Sequence, residues 1–569
     1  MFVDARTIPE GQVLETDICI IGGGAAGITL ARELVGHPYR VSLLESGGLE
    51  PDANTQALAT GENIGLPYFP LVSTRLRLFG GTTNHWGGTC RPLDDIDFEP
   101  RAWIPYSGWP LRYADLEPYY VRAQSICQIP SPEWDLSYWQ QRDPIPPFLV
   151  AGKKVVNRVA QVVQGAQRSW RKVYRAEVEQ AVNVITYLHA NVTELETDES
   201  ARSVAAVRVA CLSGNTFTVQ ARLFVLAVGG IENARLLLLS NTRHAAGLGN
   251  QHDLVGRFFM EHPRFDAGKI IPADPRVLTG FYETHGVGNT SIKGYLALTD
   301  DTLRDEQLVD IQVALSPVYA SFYQEALESS AATSLEYMLR KAEGGEQPDD
   351  FAKHLANVIA DMTSWQEYFV PTAPFPLPKP LVVSKLLHAK PEEREQLIAE
   401  IWGSTALVAY EKLLGREPVD HIRLITRIDP APNPESRITL GPERDQLGQP
   451  RAQLDWRLSP LDKRSVRRAL EIIGAEVGRT GLGRLQIGLD DDDTTWPADT
   501  HGGWHHIGTT RMSEDPKQGV VDANCQLHGI SNLFIAGSSV FPTAGSGTPT
   551  LTLVSLALRL ADHIKERMK

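Results

Sequence analysis

Gly22, Gly24 and Gly27 stand at the spacing G-x-G-x-x-G, and Glu45 follows the last of them by 18 residues. Residues of these types at this spacing suit close approach to a dinucleotide. The first Gly permits a tight turn, the second lets the backbone reach a pyrophosphate, and the third lets a helix pack closely on a strand. Glu45 would accept hydrogen bonds from ribose hydroxyls and repel a 2′-phosphate, so FAD or NAD is expected in preference to NADP. A second chemistry is proton transfer: His505 and His506 adjoin in HHIGTTRM, with His501 just before them, and a neutral imidazole is a base near physiological pH. Arg257, Glu261 and His262, in VGRFFMEHP, form a polar cluster, but no second ligand pair at metal spacing accompanies them, so no metal is expected.

The elements that must position these residues are legible around the first motif. DICII (17–21) is a short apolar run of the buried parallel type and feeds directly into Gly22, Gly23, Gly24, Ala25, Ala26 and Gly27. A helix then runs through Ile28, Leu30, Ala31 and Leu34, and VSLLE gives a second strand that Glu45 ends. Residues 184–193 (VITYLHANVT) and 223–230 (LFVLAVGG) read as strands, the latter before a helix over 232–239. Between about 265 and 495 strand-like alternations prevail (QVALSPVY, HIRLITRI, RAQLDWRLS), interrupted near 330–415 by a helical, proline-rich stretch with PTAPFPLPKPL. Near the C-terminus an apolar helix is expected over 551–564, with Thr548 as its N-cap and Pro549 as first helical residue.

The bulk composition narrows the partners. With 569 residues, two domains are expected. The 69 acidic residues outnumber 55 Lys plus Arg and are scattered, which argues against nucleic acid or an anionic membrane surface as partner. Cys19, Cys90, Cys127, Cys211 and Cys525 lie far apart with no CxxC pair, so neither a disulfide framework nor a zinc site is signalled and a reducing compartment is expected. No basic segment followed by an apolar one opens the chain, and no stretch nears 18 uninterrupted apolar residues. The expected location is the cytoplasm, without direct membrane insertion. A tethering partner subunit and a homo-oligomer are left open.

Four ordered motifs give the chain a resemblance to the glucose-methanol-choline (GMC) oxidoreductases. They are the fingerprint, Gly80 to Trp86 (GGTTNHW), Gly229 to Arg235 (GGIENAR) and the block from Trp504 to Ile564. Within that family the chain looks similar to the branch of pyranose 2-oxidase, bacterial glycoside oxidases and the flavin subunits of sugar dehydrogenases. The resemblance implies an α/β fold: a Rossmann-like FAD-binding domain from discontinuous segments (1–100, 185–265 and 500–569) and an α+β substrate-binding domain with a mostly antiparallel sheet (101–184 and 266–499). It implies FAD held at Gly22, Gly24, Ala25, Ala26, Gly27, Glu45, Gly81, Asn84, His85, Trp86, Val192, Gly537, Ser538 and Pro549.

It further implies oxidation of an alcohol, expected as a secondary hydroxyl of a sugar, glycoside or similar polyol, by hydride transfer to flavin N5. His505, three residues before Gly508, matches the family's base; His506 would face the other way as a packing neighbour, and His501 is the reserve candidate. The usual second partner, Asn or His, is replaced by Thr548, which is either a catalytic hydroxyl or only the helix cap. His85 matches the position bonded to flavin in pyranose 2-oxidase, and covalent attachment is left open. By the same resemblance Arg257, Glu261 and His262 are structural. The acceptor of the electrons is oxygen, a quinone or another carrier. Still open are an NAD-dependent dehydrogenase, an oxidase of aromatic or primary alcohols, and a flavin-binding protein with redox-neutral or no chemistry.

Overall fold

The computed structural model describes residues 1–319 and 419–569, except 144, 150, 151, 275, 276 and 493, and between them only 334, 337, 341, 350, 351, 353, 354 and 357. Most of the proline-rich stretch expected around 330–415 therefore lies outside the described residues.

Ile18–Ile21 and Val41–Leu44 are buried at every position, as strands covered on both faces must be. They lie in a six-stranded, wholly parallel sheet in the spatial order Phe2–Asp4, Val184–Leu188, Val41–Leu44, Ile18–Ile21, Leu223–Leu226, Leu533–Ile535. Helix Ala25–Glu33 packs against its first strands, and the C-terminal helix Thr550–Arg567 packs on Ala25–Glu33 and on helix Tyr113–Ile126. The α/β class with a Rossmann-like parallel sheet from segments remote in sequence is thus observed.

The expected single strand over 184–193 is two. Val184–Leu188 ends in the parallel sheet, His189 takes a left-handed backbone (φ 63°), and Asn191–Thr197 starts an edge of a separate four-stranded sheet. The N–H groups of His189 and Ala190 donate to the carbonyls of Gly47 and Glu45, contacts remote in sequence that leave no mark on the run itself.

The second large sheet is antiparallel. Its order is Gly483–Ile487, Arg264–Pro272, Val419–Ile428, Ile311–Tyr319, Thr290–Leu298, Val155–Val162, Thr89–Cys90. One face buries Phe265, Ile292, Leu296, Val313, Leu424 and Ile428 in a second core against the amphipathic helix Pro460–Arg479, which Ser459 caps through a capping box with Asp462. The RAQLDWRLS segment forms strand Pro450–Asp455 in a three-stranded sheet with Arg437–Arg444 and Gly61–Asn63. Its Ala452 and Leu454, like Leu116, Tyr120 and Ala123 of helix Tyr113–Ile126, join the core of the parallel sheet.

Candidate active site

A cavity of about 590 Å³ runs from the first βα turn to the free face of the antiparallel sheet. Every site residue expected from the sequence lines it except Gly27 and Asn84. Gly27 has a packing role: a Cβ there would lie 1.9 Å from the carbonyl oxygen of Gly22. Asn84 spends its side chain on the turn, donating to the carbonyls of Phe79 and Gly81 and accepting from Ser169.

The glycines divide by geometry. Gly22 has φ +107° and a Cβ would meet the Ala227 carbonyl at 2.5 Å, so it is set by the sheet. A Cβ on Gly24 meets nothing within 4 Å and would project into the cavity at the N-terminus of helix Ala25–Glu33, where unpaired N–H groups and the helix dipole favour a phosphate. The Glu45 carboxylate accepts from the backbone N–H of Gly23 and of Gly47, both at 2.8 Å, while burial pushes its pKa up. A buried ion-pair group, Glu232 with Arg75, Arg77 and Arg235, lines the same wall. The cradle fits the cofactor that the fingerprint announces.

His85 lies within the cavity with its ring against that of Trp504, centroids 4.7 Å apart. Its Nε2 is buried without a hydrogen-bond partner among the described residues, and burial pulls its pKa down to about 4. Trp86 is held by donation from its indole N–H to the Arg168 carbonyl.

The histidine pair sits on a bend at Trp504 (φ 62°), after two glycines that permit close approach: a Cβ on Gly502 would lie 2.6 Å from Glu261, and one on Gly503 3.2 Å from the His505 ring. The segment is fixed by antiparallel bridges, Met260 to Ile507 and Arg264 to His501. These bridges bring Glu261 and His262, read from the sequence as structural, against the histidine pair. Glu261 accepts from the backbone N–H of His262 and His505 and from the Tyr68 hydroxyl, at 2.5 Å. His262 Nδ1 lies 2.7 Å from His505 Nδ1, and its Nε2 lies 2.6 Å from the Gly545 carbonyl oxygen. Arg257 does not take part; it pairs with Asp253 and Glu435.

The tautomers follow. A carbonyl only accepts, so His262 Nε2 carries a proton; burial holds His262 neutral, its pKa pulled down to about 3, so Nδ1 has a lone pair. His505 Nδ1–H must then donate to it, which leaves His505 Nε2 unprotonated, with no hydrogen bond among the described residues. Burial first, then the charges of His262, Arg427 and His506, holds His505 well below the usual imidazole range. Glu261, His262 and His505 place ligand-type atoms within 4.8 Å of one another, but the facing imidazole nitrogens already share a proton.

His506 is buried with its Nε2 3.1 Å from the Tyr68 oxygen; since the Tyr68 proton goes to Glu261, His506 Nε2–H donates. His501 lines the mouth, its Nδ1 on the Asp499 carbonyl. Thr548 does not cap the C-terminal helix. Pro549 is the N-cap, with φ −74° and ψ −13° and no side-chain cap, and the Thr548 hydroxyl donates at 2.6 Å to the carbonyl of Thr89.

Sequence reasoning missed Tyr68, and with it the cavity residues Lys293, Tyr295 and Arg427 on the antiparallel sheet. The EHP of VGRFFMEHP was the one visible signal for Glu261 and His262.

Comparison with known proteins agrees with this architecture. Residues 17–245 match the family described as FAD dependent oxidoreductase and 432–557 the family described as GMC oxidoreductase, between them more than half of the chain. The chain is similar to 2-methyl-1,2-propanediol dehydrogenase of Mycolicibacterium austroafricanum, 22% identical over 97% of this chain and 96% of that one. It is similar to the fructose dehydrogenase large subunit of Gluconobacter japonicus, 22% identical over 98% and 99%. The crystal structure of pyridoxine 4-oxidase from Mesorbium loti shares the fold, with TM-score 0.51, 16% identity, and 97% and 99% of the two chains covered. No helix among the described residues is long and apolar enough to cross a membrane. The chain carries an FAD dependent oxidoreductase domain and a C-terminal GMC oxidoreductase domain, and is an FAD-dependent enzyme that oxidises CH–OH donors.

Proposed function

We propose that the protein oxidises a secondary hydroxyl of a sugar, glycoside or similar polyol to a carbonyl, with His505 Nε2 taking the hydroxyl proton. FAD, held by Gly24, Glu45, Gly81, Val192, Gly537, Ser538 and the helix start at Pro549, supplies the hydride acceptor. The observation that carries the reading is the relay from Gly545 through His262 to His505, which leaves one unprotonated nitrogen facing the cavity. A general base must be unprotonated and oriented at the moment of transfer. Burial keeps His505 neutral, and Glu261 fixes its backbone. Thr548 contributes an acceptor oxygen at most, because its proton is already given to Thr89. His505 therefore carries the proton alone.

Relatives named for a diol and for fructose support the polyol class. Five buried free thiols support a reducing compartment, and we place the enzyme in the cytoplasm. Anaerobic stopped-flow flavin reduction with polyols, glycosides and aromatic alcohols tests the reading. Bleaching by the polyol class is expected; bleaching by aromatic alcohols alone would overturn it.

A further inference from the structure

The wall of the cavity opposite the dinucleotide cradle is the free face of the antiparallel sheet, and it is cationic. Lys293 and Tyr295, two apart on one strand, share that face with Gln312 and Arg427, which are direct cross-strand partners. Arg427 is also directly opposite Arg264 on its other side. Like charges in register repel and destabilise a sheet. None of the three cations has an ion pair among the described residues; Arg264 is exposed, but for the partly buried Lys293 and Arg427 this is unusual in a chain that pairs most of its buried arginines.

Two atoms are orphaned on this wall: Arg427 Nη1 and Tyr295 Oη are buried without hydrogen-bond partners among the described residues. Burial pulls Arg427 down to about 10 and also lowers Lys293, each worsened by the neighbouring cations. The nearest buried carboxylate of the proton relay, Glu261, is already engaged by Tyr68 and backbone N–H groups. Buried charges are retained where something pairs them.

We propose that the substrate is an alcohol that also carries an anionic group, a carboxylate or a phosphate ester, which Arg427 and Lys293 pair inside the cavity with Arg264 at its mouth. Guanidinium and ammonium donors bind such oxyanions by charge-assisted hydrogen bonds, and Arg does so in a bidentate manner. The charge of Arg427 acts on His505 as well, so the anion site adjoins the base. The inference rests on the alcohol-oxidase reading above and narrows its substrate.

The holoenzyme is mixed anaerobically with sorbitol, galactonate or sorbitol phosphate, and the dependence of flavin bleaching on concentration gives Kd and limiting rate for each. The expected result is a Kd for one of the anions about ten- to a hundredfold below that of sorbitol, the range of a charge-assisted bond. Lys293→Gln should raise the anion's Kd at least about tenfold more than it raises that of sorbitol, and galactonate against sorbitol phosphate tells carboxylate from phosphate. Arg427→Gln, if it keeps its flavin and circular dichroism, should act in the same direction; if it does not fold, Lys293→Gln decides. Equal Kd values for sorbitol and both anions, or a Lys293→Gln effect alike on all three, would overturn the proposal. So would unchanged Kd values with a lowered flavin potential, which would assign the charge to the cofactor. If no alcohol bleaches the flavin, the oxidase reading fails separately. Calorimetric binding of galactonate and sorbitol phosphate, lost in Lys293→Gln, would then still support the anion site, and no binding would sink it.

Discussion

His262 Nδ1 and His505 Nδ1 face each other at 2.7 Å, and the Gly545 carbonyl on the far side of His262 decides which of them holds the proton. His262 is thus a positioning residue. His262→Phe removes the acceptor, so His505 can carry its proton on either nitrogen, and the limiting rate of flavin reduction should fall by about ten- to a hundredfold, the equivalent of one buried hydrogen bond. His262→Gln, with a carbonyl for His505 and an amide for Gly545, should recover most of it. Equal rates for Phe and wild type would remove the relay from the account.

His505→Ala should lose about a hundred- to ten-thousandfold in flavin reduction while keeping fold and FAD. Thr548→Val should lose little rate but about 1 kcal/mol of stability, because its bond joins the last segment to the strand end at Thr89. Stopped-flow rates and denaturant midpoints separate the two; a Thr548→Val protein as slow as His505→Ala would make the hydroxyl an equal partner.

Gly24→Val and Gly22→Val should fail differently. The first adds bulk where the protein has none, so it should purify folded but without flavin; the second clashes with the Ala227 carbonyl at φ +107° and should lose stability first. Full flavin occupancy in Gly24→Val refutes the cradle.

His85 lines the cavity, and its buried Nε2 has no hydrogen-bond partner among the described residues. If it bonds FAD, acid-precipitated protein stays yellow and a tryptic peptide containing His85 carries the FAD mass. Release of all flavin to the supernatant excludes the bond.

Burial depresses His262 and His506 to about 3, against about 6.5 in an unfolded chain. Below pH 6.5 the unfolded chain gains protons that the folded one refuses, so stability is full above 6.5 and lost as pH falls toward 3. Each of these histidines should cost the fold about 2 kcal/mol at pH 5 relative to pH 8. Thermal midpoints across that range check it, and a flat profile contradicts the buried neutral state.

The sequence by itself determined the parallel sheet's first βαβ unit, because its signals are local: an apolar run, glycines at fixed spacing and an acid at the next strand end. The expectation of His505 as the base came from a motif contiguous in the chain, HHIGTTRM, through the family resemblance. The role of Glu261 and His262 was decided by tertiary structure, since the bridge from Met260 to Ile507 joins residues 247 positions apart and leaves no periodic trace. The cap at Thr548 failed because the helix begins one residue later, with Pro549 at the N-cap, and the partner that Thr548 does hold, the Thr89 carbonyl, is 459 residues away. The cationic wall is of this kind too. Lys293, Gln312 and Arg427 look like the polar half of ordinary strand alternation, and only the register of three strands shows that they face an enclosed cavity rather than water.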